Sequence, residues 1–164
     1  MKLEILVGMI ASGKSTYARK RADEGALVVS HDGLTEMLHA CYRYEPELRD
    51  VYRRMEEALV DCAFRASRDV VIDRTHLTAE SRNRWVSFYW NRFGYTNHEQ
   101  HPIIAVAFPI ESPETHAIRR TEHDSRGRSY GDWLKVAAHH HEQAMQEPLS
   151  DVEGFSEILY MTGA

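Results

Sequence analysis

Gly8-Met9-Ile10-Ala11-Ser12-Gly13-Lys14-Ser15 matches the pattern G-x-x-x-x-G-K-[ST], and its setting decides the fold. Leu3 to Val7 ahead of it form a short apolar run that reads as a buried strand, and Ser15 to Ala22 after it read as a helix. A loop held between a strand end and a helix start wraps a phosphate chain with successive backbone N–H groups. Its lysine neutralises β- and γ-phosphate oxygens, and its hydroxyl takes a place on Mg²⁺. Ala11, Ser12, Gly13, Lys14, Ser15 and Thr16 are therefore the expected contacts of a nucleoside triphosphate (ATP, or GTP) and Mg²⁺.

Outward from this loop, short apolar runs alternate with longer stretches of helical periodicity. Strands are expected at Ala26–Ser30, Asp69–Asp73 and Ile103–Phe108, with a fifth over Phe155–Met161. Helices are expected over Leu34–Cys41, Glu47 to about Arg68, Thr78–Phe93, from Pro113 onward, and Asp132–Gln146. In the second of these, Leu48, Tyr52, Met55, Leu59 and Cys62 recur at helical spacing. Thr78 caps the third, Trp85, Phe88 and Tyr89 mark its apolar face, and Gly94 ends it. The alternation predicts an α/β fold with a four- or five-stranded parallel sheet and helices on both faces. Without repeats or linkers, residues 1–164 read as one domain, with an arginine-bearing lid over about 120–132.

A formal net charge of −5 argues against broad adhesion to nucleic acid while leaving room for a local basic groove. Sixteen of the twenty basic residues are arginine, which suits bidentate phosphate recognition or records a compositional bias of the genome. No apolar run spans a bilayer and the amino terminus carries no signal-peptide pattern, so no membrane partner is expected. Cys41 and Cys62 have neither metal-ligand spacing nor the numbers of a disulfide framework, and a reducing cytoplasm is the simplest setting.

Ligands of parallel sheets lie outside the carboxyl ends of the strands, where Asp32 and Asp73 join the phosphate loop. Asp32 either accepts a proton from an attacking hydroxyl or caps the next helix. Asp73 either holds Mg²⁺, directly or through water, or ends its strand by bonding nearby backbone. Arg74, Thr75 and His76 follow as acceptor-side contacts or as surface loop. Arg119, Arg120, Arg126 and Arg128 flank Gly127, and a mobile segment bearing them closes over a triphosphate. Glu122 and Asp124 interleave with them, so the competing reading is a solvated helix end. His139-His140-His141 is no metal site, because adjacent helical residues point in different directions. Trp85, Trp90 and Trp133 read as core, and Tyr42 and Tyr44 as an interhelical loop.

Together these segments resemble the kinase domain of phage and bacterial 5′-polynucleotide kinases, within the wider group of P-loop kinases. The resemblance rests on Gly8 to Thr16, on Ser30-His31-Asp32, on Val71 to Leu77 followed by Arg82, and on Arg126-Gly127 in the lid position, and it runs from Lys2 to about Glu147. It implies transfer of the γ-phosphoryl group of ATP, or another NTP, to the 5′-hydroxyl of a nucleic-acid acceptor. Lys14 and Ser15 would bind phosphate and Mg²⁺, Asp32 would be the general base, and Arg126 would stabilise the transition state from the lid, while the lid reading itself puts Arg120 on the nucleotide. Asp73, Arg74, Thr75 and His76 would face the acceptor. The family's arginine three residues after its base is here Thr35, so Arg74, Arg43 or another arginine replaces it, or the acceptor is no nucleic-acid end. The alternatives are a kinase for a sugar acid, nucleoside or antibiotic hydroxyl, a kinase for the hydroxymethyl group of a modified base, and a nucleotide-dependent switch.

Overall fold

The computed structural model describes residues 1–94, 100–124 and 127–162. The strands β1 (Leu3–Val7), β2 (Leu27–Ser30), β3 (Val70–Asp73), β4 (Ile103–Ala107) and β5 (Glu157–Tyr160) form one sheet in the order β2-β3-β1-β4-β5. Every neighbouring pair is parallel, and Ser30 lies opposite Asp73 at the carboxyl ends. The helices are α1 (Lys14–Asp23), α2 (His31–His39), α3 (Arg49–Arg65), α4 (Ala79–Phe93), α5 (Pro113–Glu122) and α6 (Tyr130–Gln146). All of β1 is buried because both faces of the sheet are covered. Leu3 and Ile5 meet Val60, Ala63 and Phe64 of α3 and Trp85, Val86 and Tyr89 of α4. Leu6 faces the other way and packs with Val71, Val106 and Ala18 of α1. Met9, Leu77, Ala117, Trp133, Ala137 and Ala144 make a third cluster that seats α5 and α6 beside the phosphate loop. Among the described residues no helix is long and apolar enough to cross a membrane.

Side-chain caps set several boundaries. Thr78 accepts from the Ser81 N–H at 3.3 Å and starts α4, as its sequence predicts. Helix α6 begins at Tyr130, two residues earlier than its apolar periodicity suggests, because Ser129 and Asp132 form a reciprocal capping box. Helix α2 begins at His31 rather than Leu34. The Ser30 hydroxyl accepts the Gly33 N–H, so the strand turns into helix with no intervening loop. Helix α3 follows a 3-10 turn over Pro46–Leu48, and it buries Tyr52, Glu56, Val60, Ala63 and Phe64. The expected stripe is thus rotated: Leu59 and Cys62 are exposed or partly exposed, and a glutamate lies inward.

Candidate active site

The phosphate loop joins β1 to α1 through backbone that other residues resist. At Gly8 a Cβ would lie 2.8 Å from Ser12 Oγ and 2.9 Å from Phe108 Cβ, so only glycine fits without displacing a neighbour. Ala11 (φ 50°) and Gly13 (φ 96°) both take left-handed conformations, the alternation that makes a loop concave toward an anion. Lys14 opens α1 and is buried, donating from Nζ to the Met9 carbonyl and to Ser12 Oγ at 3.3 Å. Burial pushes its ammonium down to about 8, while the carboxylates of Asp73 and Asp32 act in the opposite sense. One face of the loop, from Ala11 to Thr16, lines a cleft of about 290 Å³ together with Arg119, Arg120 and His123.

The other face opens into a cleft of about 360 Å³ that gathers Lys14 and Ser15, Asp32 from α2, and Asp73, Arg74 and Thr75 from the end of β3. Asp32 sits in the first turn of α2, where Ser30 is already the cap, so the helix does not need Asp32 in that role. Burial raises the Asp73 carboxyl above its ordinary range, although a hydrogen bond from the Ser15 hydroxyl and the charge of Lys14 oppose the rise. Asp32 adds to it as a like charge. Ser15 and Asp73 thus bring two hard oxygen donors together. That set fits Mg²⁺, which keeps several waters and shares its ligands with substrate phosphates. No group of three or more His, Cys, Asp or Glu side chains placed to hold a metal occurs among the described residues.

Thr35 is fully buried, and its hydroxyl donates to the Asp32 carbonyl at 2.8 Å. Position 35 therefore faces the interior in this chain and offers nothing to a ligand. Arg43 pairs with Glu45 at 2.9 Å on the exposed loop after α2. Arg74, by contrast, lines the cleft, with Nη1 3.3 Å from Glu56. The Thr75 carbonyl accepts the Gly8 N–H at 2.9 Å, tying the end of β3 to the phosphate loop. His76 differs from its sequence expectation. It is 2 % exposed, with Nδ1 2.9 Å from the Leu6 carbonyl and Nε2 accepting the Trp85 indole N–H at 3.0 Å. Both ring nitrogens are engaged inside the protein, and burial pushes the imidazole down to about 3. It braces the strand end rather than presenting a polar atom to an acceptor.

Across the cleft, buried Trp133 has two guanidinium groups over its ring, Arg120 at 4.8 Å and Arg128 at 5.0 Å from the centroid. Arg120 touches both clefts and Arg128 the larger one. Arg126 lies outside the described residues.

Two residues of the site escape a sequence reading. Glu56, 1 % exposed, receives His31 Nδ1 at 2.8 Å, Arg74 Nη1 and Arg84 Nη1 at 2.7 Å. Burial alone would raise its carboxyl, but these three partners prevail and hold it at about 2. Its only sequence signal is the four-residue spacing from Tyr52 to Val60. His140 accepts the Ile10 N–H of the phosphate loop at 3.4 Å, and burial pushes its ring down to about 4. It is the middle member of a triplet that carries no pattern of its own.

A chain in the structure of the Pnkp1/Rnl/Hen1 RNA repair complex is similar to this one at 25 % identity and a TM-score of 0.64, over 88 % of this chain and 45 % of that one. The protein thus spans less than half the length of that relative. A gluconokinase from Sinorhizobium meliloti (14 % identity, 99 % and 83 % covered, TM-score 0.52) shares the fold. So does a shikimate kinase from Bacteroides thetaiotaomicron (14 %, 95 % and 83 %, 0.55). No curated protein matches the sequence significantly. The loop, the parallel sheet and the cleft at its carboxyl edge are those of a kinase-like P-loop fold, and because residues 3–147 match the family model described as an AAA domain (AAA_33), the chain belongs to that family.

Proposed function

We propose that the protein transfers the γ-phosphoryl group of ATP, or another NTP, to the 5′-hydroxyl of a polynucleotide. One observation carries the reading: Asp32 shares a single cleft with Lys14, Ser15, Asp73 and Arg74. A protein that only binds nucleotide has no need of a carboxylate there. The similarity to a chain of an RNA repair complex supports a nucleic-acid acceptor.

In this reading the N–H groups of Ala11 to Thr16 hold the triphosphate and Lys14 leaves its resting bond to the Met9 carbonyl for the phosphate oxygens. Ser15 and Asp73 would hold Mg²⁺, which when bound would offset the charge of the triphosphate. Asp32 orients the acceptor hydroxyl and takes its proton as that oxygen bonds to the γ-phosphorus and the bond to the β-phosphate oxygen breaks, releasing ADP. Arg120 and Arg128, with Arg126 of the lid, supply cations for the spreading charge and exclude water. The chain's part is mainly positioning and electrostatics.

With γ-labelled ATP and Mg²⁺, a 5′-hydroxyl oligonucleotide should take up label, and Asp32→Asn should lower kcat by about 10² or more while nucleotide affinity holds. Failure to label any DNA or RNA end would sink the assignment. A small-molecule acceptor is the second reading, favoured by the inward-facing Thr35. ADP release stimulated by a sugar acid or nucleoside in a metabolite panel would point to it.

A further inference from the structure

On the other side of Arg74 and Thr75 lies a second groove of about 470 Å³, which the proposed reaction leaves unassigned. Arg74 and Thr75 line both, so the two adjoin at the end of β3. Arg49 and Arg53 from the first turns of α3, Arg84 from α4, and Tyr44 complete its cationic and aromatic wall. Glu80 is the one carboxylate among the lining residues. In a protein of formal net charge −5, four arginines converging on one groove form a local field of opposite sign.

The arginines differ in commitment. Arg84 is locked: it bonds Glu56, Glu57 and the Arg53 carbonyl and lies over the Trp85 ring. Arg74 is held on one side by the buried Glu56, which aims it along the junction. Arg49 and Arg53 instead share Glu80 Oε1, at 2.9 and 3.1 Å. The Glu80 side chain is 73 % exposed, so this pairing is solvent-screened and weak. Tyr44 stacks at 5.5 Å on Tyr52 and 5.6 Å from His31, leaving a braced, exposed ring at the rim.

We propose that this groove binds the acceptor strand: Arg74 engages the phosphodiester next to the accepting hydroxyl, Arg53 and Arg49 engage the following one, and Tyr44 stacks on a base. The assignment rests on the polynucleotide reading above and gives Arg74 and α3 the task that the buried Thr35 cannot perform. Single strands are gripped this way in general, by a cationic track with aromatic platforms. Glu80, paired with both α3 arginines, would compete with a phosphate for them.

The test is binding and turnover of a 3′-fluorescein 5′-hydroxyl dodecamer, as DNA and as RNA, with the wild type, an Arg49→Ala/Arg53→Ala variant and Glu80→Ala, thermal melting serving to show that each is folded. The double variant should weaken binding about tenfold and raise KM rather than lower kcat. It should also flatten the slope of log K against log salt by about 1.4, as expected for two lost contacts to a single strand. Glu80→Ala should tighten binding. Unchanged affinity and salt slope in a folded double variant would overturn the groove while leaving phosphoryl transfer intact. Arginine-dependent binding without transfer would keep the groove and remove the polynucleotide kinase reading; absence of both binding and transfer would end both.

Discussion

Arg82 shows how much one side chain can hold. It is 1 % exposed, forms a two-point pair with Glu153 at 2.6 and 2.8 Å, and donates to the carbonyls of His76, Leu77 and Glu147. Acceptors on three segments make it a fastener between the end of β3 and the chain after α6. Removing it leaves the Glu153 carboxylate without its cation and takes a donor from each of those carbonyls. Arg82→Ala should cost about 3–5 kcal/mol in urea denaturation, the scale of breaking a buried pair. A loss under 1 kcal/mol would show that water replaces the guanidinium. The sequence resemblance singles this residue out, but the structure gives it a structural task, because burial and partners depend on segments some seventy positions apart.

At the scale of elements, the strands and the phosphate loop are legible from pattern because each depends on neighbours in sequence. The apolar runs of β1, β3 and β4 stand within a residue of where they are expected, as do the Thr78 cap and the Pro113 start. Elements settled by distant partners are less legible. Glu56 looks like a solvent-facing helix residue until His31, Arg74 and Arg84 from three other segments surround it. The start of α2 is hidden because Ser30 serves as the last strand residue and the cap at once. The loop itself yields a sharp test. Gly8→Ala should cost about 1–3 kcal/mol in melting experiments and weaken binding of a non-hydrolysable ATP analogue by calorimetry, since the new methyl collides with Ser12 and Phe108. Wild-type affinity in that variant would mean that Phe108, not the loop, moves aside.

The whole molecule stores acid sensitivity in its buried groups. His76 and His140 are held neutral at about 3 and 4, against an ordinary 6.5, so the unfolded chain takes up their protons first as pH falls. Their contribution is complete above about 6.5 and drains away as pH falls through 4 and then 3. Glu56, held at about 2, adds stability that is complete above its ordinary 4.5 and is lost as pH falls toward 2. Stability from urea denaturation should therefore be level near pH 7 and fall by several kcal/mol in total between pH 6.5 and 3. A flat profile down to pH 4 would contradict the buried histidines. The Arg82 pair reaches further still. Glu153, and with it β5, lies beyond residue 147, where the match to the family ends. Trimming the protein to that boundary would strand a guanidinium in the interior and bare the hydrogen-bonding edge of β4. A fragment that runs through Tyr160 should therefore be more stable to urea than one that ends with the shared family segment.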